Sequence, residues 1–347
     1  MTKYLLLVIT IASMFFGLCC KDNGVAPVEQ IKPGRRDYTW FVDTLQAGGN
    51  FMNSISGVSP NDVWIISIPG DYSQTFYHFD GVRWSTDGTN RPFSPWSVRA
   101  FTSNNVWSVG LQGDIWKFDG AQWKSITRVN PGGTNFYSFE DIDGDSPLNL
   151  YSVGNISYNG TDLYPLVYHF DGNTWARVNI QNILDCALNK IRFYAPNRAL
   201  VLGSTHRPDG SVPDSSKIFS FDGLNLHEIY SAQENRIGKG DFVSIPNGII
   251  VLRGPRLTYY NGSQEQDILI VTSTLFGNII DARSTKDVFL GMLDGIAHYN
   301  GTDIQYLYNF PTANIRGTEI MIFESSVFVL AYDRDKQINI IYRGYLK

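Results

Sequence analysis

SPNDVWIISIPGDYSQTFYHFDGVRW, residues 59–84, contains two apolar runs separated by turn-forming residues. Val63–Ser67 and Thr75–Phe79 are rich in β-branched and aromatic residues and read as strands. Asp80-Gly81 reads as the tight turn into a further strand over Val82–Thr86. With Asn53–Val58 ahead of the turn at Ser59–Asp62, the segment spells four short strands of one antiparallel sheet. Asp-Gly tolerates two consecutive positive φ angles, the requirement of a two-residue hairpin turn. Such a turn would place Tyr77, Phe79, Val82 and Trp84 on one face, with His78 and Arg83 on the other.

The signature recurs at Phe118-Asp119-Gly120, Phe170-Asp171-Gly172, Phe221-Asp222-Gly223, Tyr260-Asn261-Gly262, Tyr299-Asn300-Gly301 and Tyr342-Arg343-Gly344. Successive glycines lie 39, 52, 51, 39, 39 and 43 residues apart. This period predicts an all-β chain, a seven-bladed β-propeller of four-stranded antiparallel blades. Long insertions at Asn155–Tyr164 and Ser204–Ser216 account for the wider spacings. Second strands are expected in the core at Val63-Trp64, Val106-Trp107, Leu150-Tyr151, Leu200-Val201, Ile250-Val251, Val288-Phe289 and Val327-Phe328. Only Tyr345–Lys347 follow the last glycine, so an outer strand is missing there. Tyr38–Leu45, with Trp40 placed like Trp84, Trp123 and Trp175, is expected to supply it and close the ring by the N-terminal strand in the last blade.

The 347 residues are 43% hydrophobic with 32 glycines, enough core and turn material for one propeller domain. A net charge of −5 argues against neutralising phosphates along a backbone, so no nucleic-acid partner is expected. Lys3 followed by apolar Tyr4–Leu18, too short to span a bilayer comfortably, marks residues 1–20 as a signal peptide ending in a lipobox. Cys20, preceded by the small Cys19, is the expected lipid attachment point, with Cys19 the alternative. Residues 21–37, containing Gly24, Pro27, Pro33 and Gly34, read as a flexible tether, and 38–347 as the propeller. Cys186 is the one cysteine of the folded part, and its neighbours Leu184, Ala187 and Leu188 predict a buried, inert thiol.

Ser59-Pro60-Asn61-Asp62-Val63-Trp64 together with His78-Phe79-Asp80-Gly81-Val82-Arg83-Trp84 resembles the repeats of β-propeller lipoproteins of Gram-negative cell envelopes. The resemblance covers nearly the whole mature chain. It implies attachment to the membrane through an N-terminal lipid, in the bacterial cell envelope and on the outer membrane. Lys21-Asp22-Asn23 looks like the charged tag that directs some such lipoproteins to the cell surface. No particular activity follows from it.

Loops joining an outer strand to the next inner strand, or a second strand to a third, share one face of a propeller. Rigid blades display variable loops there for binding. Tyr72, Trp96, Tyr158, Tyr164, His206, Arg207, Asp214, Arg236, Arg253 and Arg256 are the candidate ligand contacts, an aromatic and charged mixture suited to a sugar or peptide. The expected role is a non-catalytic binding module for a glycan, peptide or partner protein. The alternative is an envelope glycan hydrolase or lyase in which Arg236, Arg253 and Arg256 converge with Asp214 on an acidic sugar. No catalytic residue or cofactor is assigned, since GxSxG, HExxH, CxxC and phosphate-binding glycine loops are missing from the sequence. No metal is expected either. His78, His169 and His298 hold equivalent positions on diverging outer parts of different blades and read as surface cross-strand partners. Asp141-Ile142-Asp143-Gly144-Asp145 alternates carboxylates like a calcium loop, but Ser152 stands where the bidentate glutamate would be. It reads as an acidic turn between first and second strands.

Overall fold

Six of the seven glycine signatures join a third strand to an outer strand. In the first, Phe79 pairs with Trp84, so the connection is the four residues Asp80–Arg83 and not the expected two. Asp80 Oδ1 accepts from the amides of Val82 (2.9 Å) and Arg83 (2.8 Å), while Gly81 takes a φ of 90°. The glycine alone needs the left-handed backbone; the aspartate is present for its side-chain oxygen, which organises an Asx-type turn. Val82 is consequently 84% exposed and does not share the core face of Trp84. Asp119, Asp171, Asp222, Asn261 and Asn300 each repeat the two amide bonds. Aspartate and asparagine interchange here because both present that oxygen.

The computed structural model describes residues 31–45, 51–68, 71–180, 183, 185–205, 214–233 and 240–347. The signal peptide, Cys19, Cys20 and most of the expected tether lie outside the described residues, as do His206, Arg207 and Arg236. Among those described, 28 strands form seven sheets of four. Blade one runs Phe51–Ser59, Asp62–Ile68, Phe76–Phe79 and Trp84–Ser85 from inside to outside. Blades two to six repeat that order. In blade seven Ile315–Ile322, Ser326–Asp333 and Ile338–Leu346 are followed outward by Tyr38–Leu45. Inner strands touch in cyclic order, the seventh returning to the first. The chain is a seven-bladed β-propeller closed by its first strand.

The seventh signature is a different object. Tyr342-Arg343-Gly344 lies inside a strand, with Gly344 paired to Val327 on one side and Trp40 on the other. That row matches Val63, Phe79 and Trp84 of blade one, so Trp40 occupies the expected place although the turn does not exist. A Cβ on Gly344 would stand 2.9 Å from Val327 Cγ1 and 3.1 Å from the Trp40 ring. The glycine permits close packing instead of a turn.

Every expected second-strand pair is buried, and burial pushes the Cys186 thiol up to about 12, as fits an inert side chain. Asp141–Asp145 is not a turn: it belongs to the inner strand Phe136–Ser146, because Asp141 and Asp143 serve as acceptors for the next blade. His78, His169 and His298 bond within their own blades to Asp62 (2.8 Å), Asn149 (2.7 Å) and Asp287 (2.8 Å). His298 is fully buried and not at the surface. Arg36 covers it, donating from Nε to His298 Nδ1 (3.2 Å) and from Nη1 to Asp303 (3.0 Å). The Gly34 amide donates to the Lys286 carbonyl (2.8 Å), so Gly34–Asp37, expected within the tether, lie docked on blade six.

Candidate functional site

An inner strand pairs with only one neighbour, so its other edge carries amides that need acceptors. Side chains of the preceding blade supply them at five of the seven junctions. Ser54 accepts from Val98 N–H (3.3 Å), Asp141 from Ile191 (2.9 Å) and Asp143 from Phe193 (2.9 Å). Asp241 accepts from Ile280 (3.4 Å), Asp281 from Ile322 (2.8 Å) and Glu319 from Ile55 (2.7 Å), which closes the circle from blade seven to blade one. The two remaining junctions use side chains, Ser97 donating to Asp141 (2.6 Å) and Lys190 pairing with Asp241.

Register shifts place a bulge at the same level of most inner strands, between Met52/Ser54, Pro95/Ser97, Phe139/Asp141, Leu188/Lys190 and Gly317/Glu319. Bulges aim extra side chains toward the axis. The result is a central cavity of about 360 Å³ at mid-channel. Arg99, Lys190 and Arg192 line it together with Asp241, Asp281 and Glu319. Arg99 pairs with Asp143 (2.9 Å) and Arg192 with Asp141. Burial pushes Asp281 and Glu319 up to about 7, because their backbone amide donors and the nearby Lys190 offset only part of the lost hydration. Glu140 is also raised by burial, but bonds to Ser138 and Asn155.

The loop-face residues singled out from sequence fall elsewhere. Tyr72 and Tyr158 are exposed, Tyr158 lies 5.9 Å from Tyr164 between ring centroids, and Trp96 is half-buried at a bulge, its carbonyl bonded to Asn53 Nδ2. Asp214 is half-buried just ahead of the strand Ser215–Phe221. Arg253 pairs with Glu265 and covers the Tyr230 ring at 4.5 Å, and Arg256 bonds Asp267 through two 2.8 Å contacts. Each arginine is therefore neutralised within its own blade. None of the charged channel residues was selected from sequence. The inner strands carry several polar residues each, so short-range pattern does not single out those that meet at the axis.

No protein-family model matches the chain, and no curated protein matches it in sequence. In three dimensions it is similar to YCF48 bound to D1 peptide, with a TM-score of 0.60 and 14% identity over 91% of this chain and 98% of that one. It is also similar to a catalytically inactive histidine-to-alanine form of virginiamycin B lyase from Staphylococcus aureus with quinupristin (TM-score 0.59, 11% identity, 89% of this chain and 100% of that one). A third likeness is to the WD40 propeller domain of Doa1 (TM-score 0.53, 11% identity, 88% and 97% coverage). At these identities the likeness establishes the fold.

Proposed function

We propose that this propeller is a non-catalytic binding module that receives a glycan, peptide or partner protein at the channel and the loops around its mouth, and that it works lipid-anchored in a bacterial envelope. The observation carrying the reading is the polar mid-channel cavity, held open by side-chain bonds between neighbouring inner strands. Rigid walls lower the ordering cost of binding. The peptide-bound YCF48 structure, of the same architecture, supports a peptide as ligand. A hydrolase or lyase built on Arg253 and Arg256 is disfavoured because Glu265 and Asp267 already occupy their guanidinium groups.

The described chain enters the ring at Gly34–Asp37 beside Lys286 and Asp303, on the face of the tight turns. The test is a glycan array and an envelope pull-down with the purified protein, against a variant lacking residues 206–213 and a second with Glu319→Gln. Retention of a ligand by the parent and its loss in either variant supports the reading. Turnover of a glycan would replace it with the enzyme.

A further inference from the structure

The basic side chains of the channel are all committed, Arg99 to Asp143, Lys190 to Asp241 and Arg192 to Asp141. Among the described residues no basic side chain forms an ion pair with Asp281 or Glu319. Asp281 accepts from the amides of Ala282 and Ile322 (both 2.8 Å), and Glu319 from that of Ile55 (2.7 Å). A second observation concerns the bulges. The bulged residues Asn53 and Thr318 line the same cavity, so the wall beside the two carboxyls is polar.

We propose that the cavity binds a protonated amine or guanidinium group, with Asp281 and Glu319 as counter-ions. The proposal rests on the binding role assigned above. An ammonium carries three N–H donors and a guanidinium five, with no acceptor, which matches a site offering oxygen atoms. Among the described residues no three His, Cys, Asp or Glu side chains are placed to share a metal ion, and a hydrogen-bonding organic cation suits acceptors on neighbouring blades. The volume of about 360 Å³ lies at the small end of ligand pockets and suits one basic side chain or a small free amine.

Ionisation of both carboxyls couples to this binding. Lys190 and Asp241 act electrostatically on Asp281, and Lys190, Arg192 and Asp141 on Glu319, while Arg99 lines the same cavity. Lys190 lowers both acids yet leaves them at about 7, so a bound cation gains from their deprotonation as pH rises.

The experiment is calorimetric titration of the full-length protein in mild detergent at pH 6 and pH 8. Cadaverine, the peptide acetyl-Gly-Lys-Gly-amide and its Nε-acetylated form are the probes. Binding of cadaverine, of the lysine peptide or of both, but not of the acetylated peptide, is expected. The first pattern identifies a free amine as ligand and the second a basic side chain. Affinity should rise about tenfold per coupled carboxyl between the two pH values. Asp281→Asn and Glu319→Gln, which keep an acceptor for Ile322 and Ile55, should each weaken binding about tenfold or more. Carboxyl NMR of the parent protein gives a readout that needs no variant, since saturating amine should lower both titration midpoints. Unmoved midpoints, equal binding of the acetylated peptide, or folded variants that bind like the parent would overturn the proposal. Capture of an envelope glycan or protein without any amine response removes this inference and leaves the binding role intact. Failure of every ligand removes both.

Discussion

Trp40 lies directly across from Gly344, its ring 3.1 Å from the point where a Cβ would stand. This contact is the seam between the first and last strands of the ring. Placing Leu at 344 should displace the indole, weaken pairing along Tyr38–Leu45 and cost about 1–3 kcal/mol, the usual range for overpacking. Urea denaturation of Gly344→Leu against the parent measures it. An unchanged midpoint would mean that the seam contributes nothing to closure.

Acid should weaken the outer turns. Amide donors hold Asp80, Asp171 and Asp222 below the ordinary carboxylate range, and Lys124 together with amide donors does so for Asp119. Because these folded values are depressed, their stabilisation is present above the unfolded value of 3.8 and is lost as pH falls through the folded ones. Asp80→Asn should keep the turn, as Asn261 and Asn300 do natively, and flatten the acid dependence of Tm. Asp80→Ala should lower Tm at neutral pH as well. A thermal melt series from pH 2 to 7 separates the two outcomes.

Inner-strand carboxylates should matter more than outer ones. Asp141→Ala leaves the Arg192 guanidinium without its partner and the Ile191 amide without an acceptor. Removing one member of a buried pair costs about 3–5 kcal/mol, and Asp141→Asn should cost less because its amide oxygen still serves Ile191. Equilibrium unfolding of the two variants gives the ordering; equal losses would contradict it.

Arg36 reaches across the seam between blades six and seven. It donates to His298 Nδ1, to the His298 carbonyl and to Asp303. Arg36→Ala should cost about 1.5–3 kcal/mol, the range for charge-assisted hydrogen bonds. Amide exchange in Tyr38–Leu45 should accelerate, and Arg36→Lys should rescue little, since an ammonium lacks the planar fork. Unaltered exchange in both variants would show that Gly34–Asp37 rests on blade six without holding the strand.

The repeat was legible because six of the seven blades carry a glycine at positive φ with an aromatic before it, and all seven carry a β-rich pair in the second strand. The identity of the outer turn was not. A two-residue turn and an Asx turn of four residues both favour Asp-Gly, and only the pairing of Phe79 with Trp84 distinguishes them. Gly344 was misread for a related reason, because glycine marks a positive φ and a close approach alike, and here it marks the approach of Trp40. Asp141–Asp145 looked like a turn because carboxylates are rare inside strands, until the neighbouring blade supplied amide donors for Asp141 and Asp143.

The amino-acid sequence by itself determined the number of blades, the buried second strands and the role of Tyr38–Leu45 as the closing strand, since these follow from short-range patterning repeated along the chain. Tertiary structure alone decided the channel. Asp281 and Glu319 meet Ile322 and Ile55 across blade boundaries, and Glu319 reaches Ile55 from the far end of the sequence. The physical reason is closure: bending the array into a ring brings the unpaired edges of distant inner strands to one axis, where most edges take acceptors from the blade beside them.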